Sequence, residues 1–213
     1  METLGKLFGS ESKVRMMRLF LFNPGTPFSA EMVASRTTST LSVAKRELAT
    51  LKQMKFVKVK SFSIKVAKGK KGKQKVVSKK LSGFVLNPAF PYLQELRRLL
   101  LDTSLLKGEE ITKKLSGAVG RLKLVVIAGV FIQDDESRLD ILMVGDHLKN
   151  SAIEKKIRAM ESEIGKELRY AAFETTEFNY RLGLYDKLIR DVLDYPHTVA
   201  FDRLGLPPLN TAR

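Results

Sequence analysis

The chain carries few residues of the types that ligate metals or attack substrates. It has no cysteine, and its two histidines are His147 and His197, which excludes thiol catalysis and leaves too few ligands for a classical zinc centre. Asp134, Asp135 and Glu136 do stand together, but a short polar run between two apolar segments is typical of a solvated turn. We therefore expect no metal site and no cofactor.

Basic residues suggest a different chemistry, the binding of a polyanion. The net charge is +15, and its distribution is uneven: residues 1–87 contain 19 Lys and Arg against 4 Asp and Glu, whereas residues 88–213 contain 19 of each. A basic field confined to one half predicts an extended polyanionic partner for that half. A ribosome or an anionic membrane surface would attract the same charge, so the sign alone does not select DNA.

The elements that must position these cations lie between Ser29 and Val57. Met32 and Val33 fit a short helix, and residues 37–39 interrupt the pattern. A second helix, capped by Ser39 or Thr40, would place Leu41, Ala44, Leu48 and Leu51 on one stripe. Two short helices joined by a polar turn are typical of a helix-turn-helix, whose second helix enters the major groove of DNA. The outer face of that helix would carry Ser42, Lys45, Arg46, Lys52 and Gln53.

A lysine-rich hairpin follows the helix pair. Residues 56–66 and 76–86 alternate in the manner of strands, and a change of phase near Ser61 predicts a β-bulge or a bend. The connecting segment, KGKKGKQK, is by composition a solvated loop. Beside a basic helix-turn-helix it also fits a wing that lies along phosphates or the minor groove. The wing would contribute Lys68, Lys70, Lys71, Lys73 and Lys75.

Residues 4–101 resemble an ArsR-type winged-helix transcriptional regulator. The resemblance rests on LFGSESKVRMMRLFLFNP, on the pattern Leu48-x-x-Leu51 leading into KFV, and on LNPAFPYLQELRRLLL after the wing. It implies that Ser42, Val43, Lys45 and Arg46 face the DNA groove. Metal-sensing members use cysteine or histidine clusters, which this sequence lacks, so metal sensing is not implied.

The second half has the pattern of a small α/β unit. Residues 124–132 form the longest apolar run and predict a strand buried on both faces, and LDILMVGD predicts another. An amphipathic helix over residues 150–164, a strand over 168–173 and a helical segment capped by Thr175 or Thr176 should follow. We place the domain boundary between residues 102 and 103, with one domain at 1–102 and the other at 103–213.

LVVIAGVFIQDDESRLDILMVGD resembles the core of polymerase-β-like nucleotidyltransferases, in particular small ones fused to winged helices. That family holds nucleotide phosphates with Gly-Ser and two magnesium ions with carboxylates at positions i and i+2 of a strand. Here Gly129 is followed by Val130, and one alignment places Arg138 and Asp140 at the two carboxylate positions. The other alignment keeps Asp140 first and places Leu142 second. Either alignment implies a degenerate site with one surviving carboxylate, and in the first alignment Arg138 and Asp140 would share a strand face and pair.

The sequence thus predicts an α+β protein: a winged helix-turn-helix followed by a nucleotidyltransferase-like domain that is not an enzyme. We expect a cytoplasmic, sequence-specific regulator that binds double-stranded DNA as a homodimer. Residues 10–12 should cap a helix that ends near Phe22, and residues 90–101 should form another helix. The broad apolar faces of residues 14–22 and 90–101 suggest the dimer contact, and the second domain would dimerise or bind a nucleotide or a protein. An active nucleotidyltransferase with a nucleic-acid substrate and an RNA-associated basic protein are the rivals. No segment has the length of a membrane span.

Overall fold

The computed structural model describes residues 2–68, 75–101, 108–134 and 136–206. Helices and strands are mixed along the chain, which divides into two compact units. The first unit comprises residues 1–101 and 161–166, and the second comprises 102–160 and 167–213. None of the described helices is long and apolar enough to cross a membrane.

Four helices open the first unit: α1 (Glu2–Phe8), α2 (Glu11–Phe22), α3 (Ala30–Arg36) and α4 (Leu41–Gln53). The predicted start of α2 is confirmed, because the Ser10 hydroxyl accepts a hydrogen bond from the backbone N–H of Lys13 at 3.2 Å. This helix is buried around most of its circumference. Its apolar side chains, which the sequence assigns to a dimer contact, instead form the core of the unit: Val14, Met16, Met17, Leu19, Phe20 and Leu21.

An antiparallel hairpin of β1 (Val57–Lys68) and β2 (Lys75–Leu86) follows α4. Its register is continuous from Val57 opposite Leu86 to Lys68 opposite Lys75, so the predicted bulge at Ser61 is wrong. The apparent change of phase has another cause: Val57 enters the core at the base of the hairpin, while Phe62 and Ile64 lie half-buried on its other face. Phe28 forms two backbone hydrogen bonds with Phe84, at 2.9 and 2.8 Å, on the outer edge of β2.

The last helix before the boundary, α5 (Leu93–Leu100), is shorter than the predicted helix over residues 90–101. Phe90 precedes Pro91, and a residue before proline is disfavoured in the helical region. Phe90 instead packs edge-to-face on Phe56, with ring centroids 5.5 Å apart. Leu100 is buried, whereas Leu99 is 44% exposed.

The second unit is built on a four-stranded sheet of β3 (Arg121–Ile127), β4 (Ile141–Asp146), β5 (Tyr170–Glu174) and β6 (Thr198–Asp202). The spatial order is β5-β4-β3-β6, and only β4 and β5 run parallel. The buried strands β3 and β4 were predicted, although β3 ends at Ile127 rather than at Ile132. The edge strand β6 was not predicted.

Helices α6 (Gly108–Leu115), α7 (Asn150–Ile164), α8 (Thr175–Gly183) and α9 (Lys187–Leu193) complete the described chain. The predicted bounds of α7 are confirmed, and its four isoleucine and methionine positions are buried. The predicted cap of α8 is wrong: the Thr175 hydroxyl lies 2.6 Å from a carboxylate oxygen of Asp146 instead. The single predicted segment also divides, since Asp186 caps α9 through the backbone N–H of Leu188 at 2.9 Å.

Candidate nucleic-acid interface

Helix α4 presents its outer face because its inner face is anchored firmly. Ala44, Leu48 and Leu51 are at most 1% exposed and fill the core against α2. Thr40 caps the helix, its hydroxyl accepting from the backbone N–H of Val43 at 3.3 Å, as one of the two predicted caps. Leu41 departs from the predicted stripe, since it is 39% exposed in the first turn. The first turn of α4 contains no acidic residue, so it offers its free N–H groups to an anion.

The predicted contact residues of α4 divide into two groups. Ser42, Lys45, Arg46 and Lys52 are exposed on the outer face. Val43, which the family resemblance places in the groove, is half-buried and packs against the core. The side chain of Val43 therefore helps to seat the helix, and the polar and cationic residues around it form the accessible face.

A buried acidic residue, Glu47, orients part of this face. Glu47 is 5% exposed, and one of its oxygens lies 3.3 Å from the guanidinium of Arg46. Its other oxygen lies 3.7 Å from Nζ of Lys13 on α2. Arg46 is thereby tethered at one nitrogen while its side chain stays 71% exposed. The sequence alone indicates that Glu47 is unusual. It is a charged residue on the apolar stripe of α4, next to Leu48.

The hairpin adds cations that the sequence pattern did not single out. Lys58 and Lys60 lie on one face of β1 with Lys79 of β2, whereas Lys65 and Lys80 lie on the opposite face. All five are exposed. The signal for them was the same alternation that predicted the strands, since lysines fill the polar positions. Of the predicted wing residues, Lys70, Lys71 and Lys73 lie outside the described residues, and Lys68 and Lys75 are described only by their backbone pairing.

Glu31, at the start of α3, connects the two basic elements electrostatically. Its own backbone N–H, the Ser29 hydroxyl at 2.8 Å, and the charges of Lys45 on α4 and Lys79 on β2 all lower the pKa of the Glu31 carboxyl. Glu31 therefore stays ionised at neutral pH. The carboxylate thus lies within electrostatic range of one lysine of α4 and one lysine of the hairpin, which relates the two basic elements.

A shallow cavity of about 450 Å³ lies where α4 passes into β1. Lys52, Lys55 and Lys58 surround it, and Val57 and Val59 contribute its apolar wall. Lys55 has a left-handed backbone, with φ of +61°, and its carbonyl accepts a hydrogen bond from Nδ2 of Asn87 at 2.8 Å. This turn places Lys55 at the cavity beside Lys52 and Lys58.

In the second unit, three residues of the predicted degenerate nucleotidyltransferase site, Gly129, Val130 and Asp140, lie at a tight, hydrogen-bonded turn. Gly129 has φ of +54° and begins a 3-10 turn, Gly129–Phe131. A Cβ at Gly129 would collide with the carboxylate of Asp140, so only glycine fits there. Asp140 is fully buried, and its Oδ1 accepts a hydrogen bond from the backbone N–H of Val130 at 2.9 Å.

The predicted pair of Arg138 with Asp140 is wrong. Arg138 instead lies 2.7 Å from Asp191, and its side chain is 56% exposed. Both residues precede β4, so the alternation of a strand does not place them on one face. The partner of Asp140 is Arg169, whose backbone N–H donates at 2.8 Å and whose guanidinium donates at 3.2 Å to each carboxylate oxygen. Sequence reasoning missed Arg169 because it lies 29 positions away.

Both oxygens of Asp140 are thus occupied by donors of the chain itself. The arrangement stabilises the turn between β3 and β4 and leaves no carboxylate oxygen of Asp140 directed toward a ligand. Among the residues that the structure describes, no group of three or more His, Asp or Glu side chains is placed to hold a metal ion.

Comparison with known proteins adds no family. No protein-family model matches the chain, and neither the curated proteins nor the solved structures gave a match. The assignment of a function therefore rests on the basic surface of the first unit and on the occupied carboxylate of the second.

Proposed function

We propose that this protein is a sequence-specific DNA-binding transcriptional regulator. In this proposal α3 and α4 form a helix-turn-helix, the β1–β2 hairpin is its wing, and the protein acts as a homodimer. The single observation that carries the proposal is the set of exposed cations on the outer face of α4 and on the hairpin, of which Lys45 and Lys79 both act on Glu31.

The polarity of α4 supports major-groove binding. Its N-terminal turn and the side chains of Ser42, Lys45 and Arg46 are exposed on one face, while the opposite face is anchored in the core. Recognition helices contact base edges with residues of this kind near their N-terminal ends. Arginine tethered at one nitrogen, as Arg46 is by Glu47, loses less conformational freedom when it binds a base.

The lack of ion-pair partners for the hairpin lysines supports phosphate binding. Within the described part of the chain, no carboxylate lies within ion-pair distance of Lys58, Lys60, Lys65 or Lys80. Lysines without an internal partner do not have to break an existing ion pair before they meet a phosphate. A surface of this kind binds DNA largely by releasing condensed counterions.

For the second unit we propose a regulatory or dimerising role without nucleotidyl transfer. A two-metal mechanism needs carboxylates that share two ions a few ångströms apart. Asp140 is the carboxylate that aligns with such a site, and its oxygens are bonded to Val130 and Arg169. Val130 also lacks the hydroxyl that would accompany backbone N–H groups at a nucleotide phosphate.

Salt-dependent binding to duplex DNA tests the proposal. We expect the full chain to select a preferred site from random duplexes, with a log–log salt slope of about −5 to −9 if the dimer contacts roughly 6 to 10 phosphates. The double variant Lys58→Ala/Lys60→Ala should flatten the slope by about 0.9 for each phosphate that it no longer neutralises, without changing the preferred sequence. Lys45→Ala/Arg46→Ala should alter the preferred sequence as well.

A matched control uses exposed lysines of the second unit. Lys113 and Lys155 are both exposed, and their double alanine variant removes the same number of charges. We expect its salt slope to equal that of the unaltered protein. A slope near zero for the unaltered protein, or equal effects of the two double variants, would contradict the proposal.

A further inference from the structure

The exposed apolar side chains of the second unit are concentrated in one stretch. Among the residues described there, every exposed large apolar side chain lies between positions 180 and 199. Tyrosine predominates, and leucine and valine complete the set. The residues are Tyr180 (68% exposed), Leu184 (61%), Tyr185 (76%), Tyr195 (61%) and Val199 (38%).

Two of these tyrosines stand on a groove along α9. The groove has a volume of about 500 Å³ and is lined by Tyr185, Tyr195 and four charged residues of α9 and its C-terminal end. Tyrosine is enriched at the centres of protein interfaces, because it contributes a large contact area with few rotatable bonds. We call this surface the tyrosine groove; its charged residues are Lys187, Arg190, Asp191 and Asp194.

Tyr185 has an unfavourable backbone conformation for its type. Its φ is +54°, in the left-handed region that bulky side chains rarely adopt, and it joins α8 to α9. Glycine or asparagine would occupy this turn with less strain. Tyr185 thus combines a large, exposed side chain with a backbone that does not favour it, and residues of this kind are frequent at binding surfaces.

The charges of the tyrosine groove indicate which partner it fits. Two cations and two carboxylates line it. Within the chain Arg190 pairs with Asp194 at 2.8 Å and Asp191 pairs with Arg138 at 2.7 Å, so the two signs are interleaved along one helix face. A nucleic acid would bring phosphates against Asp191 and Asp194. A two-fold axis, by contrast, brings the groove of one copy against that of another, where interleaved opposite charges complement each other.

We propose that the tyrosine groove is the surface through which two copies of this chain associate. The inference rests on the proposed homodimer and names the face that forms it, in place of the apolar face of α2, which is buried. Tyr185 and Tyr195 are its central contacts, and the charged residues of α9 set the alignment of the two copies.

Sedimentation of the full chain without DNA tests this surface. We expect a dimer at micromolar concentration for the unaltered protein. Tyr185→Asn and Tyr195→Ser should each raise the dimer dissociation constant by roughly 30-fold, as truncation of an interface hot spot does. Tyr185→Asn should leave the monomer folded with an unchanged or higher melting temperature, because asparagine tolerates the left-handed backbone. A purely structural Tyr185 would instead lower the melting temperature and leave dissociation unchanged, which would overturn the proposal.

A charge exchange tests the alignment of the two copies. Lys187→Glu/Arg190→Glu makes the groove acidic, and Asp194→Lys makes it basic. Each variant alone should dissociate more readily than the unaltered protein, and an equimolar mixture of the two should form a heterodimer. Absence of that heterodimer would overturn the two-fold arrangement.

A comparison with α5 separates failure of this surface from failure of the proposed homodimer. Tyr92→Ser/Leu99→Ser removes the exposed apolar side chains at α5, which are 65% and 44% exposed. We expect this variant to remain a dimer. If it dissociates while the tyrosine variants do not, the tyrosine groove is overturned and the homodimer stands. A monomer for the unaltered protein at 100-fold higher concentration would overturn both.

Discussion

The two units use their charges in opposite ways. In the second unit, cations and carboxylates are matched in ion pairs across neighbouring elements or along a helix. These pairs are Lys123–Asp146, Arg138–Asp191, Arg158–Glu154, Arg169–Asp140, Arg181 with Glu177 and Asp186, and Arg190–Asp194. In the first unit, Glu11 and Glu47 hold pairs near α2 and α4, and the described lysines of the hairpin have no carboxylate at that distance.

The contrast shows how the same residue types serve folding in one unit and, in our proposal, binding in the other. The pairs of the second unit are mostly arginine with a carboxylate, and the planar guanidinium suits a bonded, directional contact. The hairpin uses lysine, whose flexible point charge suits a polyanion that offers many equivalent phosphates. We therefore expect charge removal to reduce folding stability in the second unit and DNA affinity in the first.

The largest effect on stability should come from Asp140. Asp140→Asn replaces an acceptor with an amide that meets the N–H groups of Val130 and Arg169, and we expect a loss of about 3 kcal/mol in the free energy of unfolding. Hydrogen exchange of the β4 amides would localise the loss to the second unit. Glu154→Gln is the control, since its exposed pair with Arg158 is worth at most about 0.5 kcal/mol. Equal losses for the two variants would contradict the structural role of Asp140.

A smaller loss should follow from Glu47→Gln in the first unit. Glu47 is buried and holds Lys13 and Arg46, so its neutralisation should reduce the free energy of unfolding by about 1–2 kcal/mol. Chemical denaturation measures this change. Glu11→Gln removes an exposed pair with Arg15 and should have little effect. If Glu47→Gln leaves stability unchanged, Glu47 does not anchor the face of α4.

The sequence was sufficient to predict most helices and strands, because apolar periodicity determines them locally. The bounds of α7, the cap at Ser10 and the buried stripe of α4 from Ala44 onward all follow from residues close in sequence. The errors have local causes as well. The bulge was predicted at Ser61 because a change in which strand face is buried was interpreted as a change of register. Thr175 bonds to the end of the neighbouring strand instead of capping α8.

The candidate sites were predictable only where their residues are neighbours along the chain. The outer face of α4 follows from spacing within one helix. The partner of Asp140 does not, because the pairing of β4 with β5 is what brings Arg169 beside it. The joint effect of Lys45 and Lys79 on the pKa of Glu31 depends likewise on how the hairpin packs, and no pattern in the sequence encodes it.

A pH-dependent effect should appear at Asp146 in the second unit. The Thr175 hydroxyl, and after it Nζ of Lys123 at 2.9 Å, hold the pKa of the Asp146 carboxyl below its ordinary value. Because the folded pKa is the lower one, this contribution to stability is present above the unfolded pKa of about 3.9 and is lost as the pH falls through the folded pKa. Thr175→Val should raise the pKa of Asp146, measured by carboxyl NMR titration, and weaken the dependence of stability on pH below about 4. A pKa that stays in place would contradict the role of the hydroxyl.

The smallest expected effect, at Glu31, gives the most direct test of the basic surface. Glu31 is exposed, and its charge acts on Lys45 and Lys79, which belong to the two elements of the proposed DNA contact. Glu31→Gln keeps the size of the side chain and removes a charge that repels phosphate, so DNA affinity should rise by roughly two- to fivefold at low salt. The gain should shrink as salt rises, because exposed charges are screened within about 10 Å at 0.1 M.

As the control, Glu95→Gln on α5 removes another exposed charge and should leave affinity unchanged. If Glu31→Gln lowers affinity, then α4 and the hairpin do not bind the polyanion as one surface, and the contrast between the two units has to be explained by α4 alone.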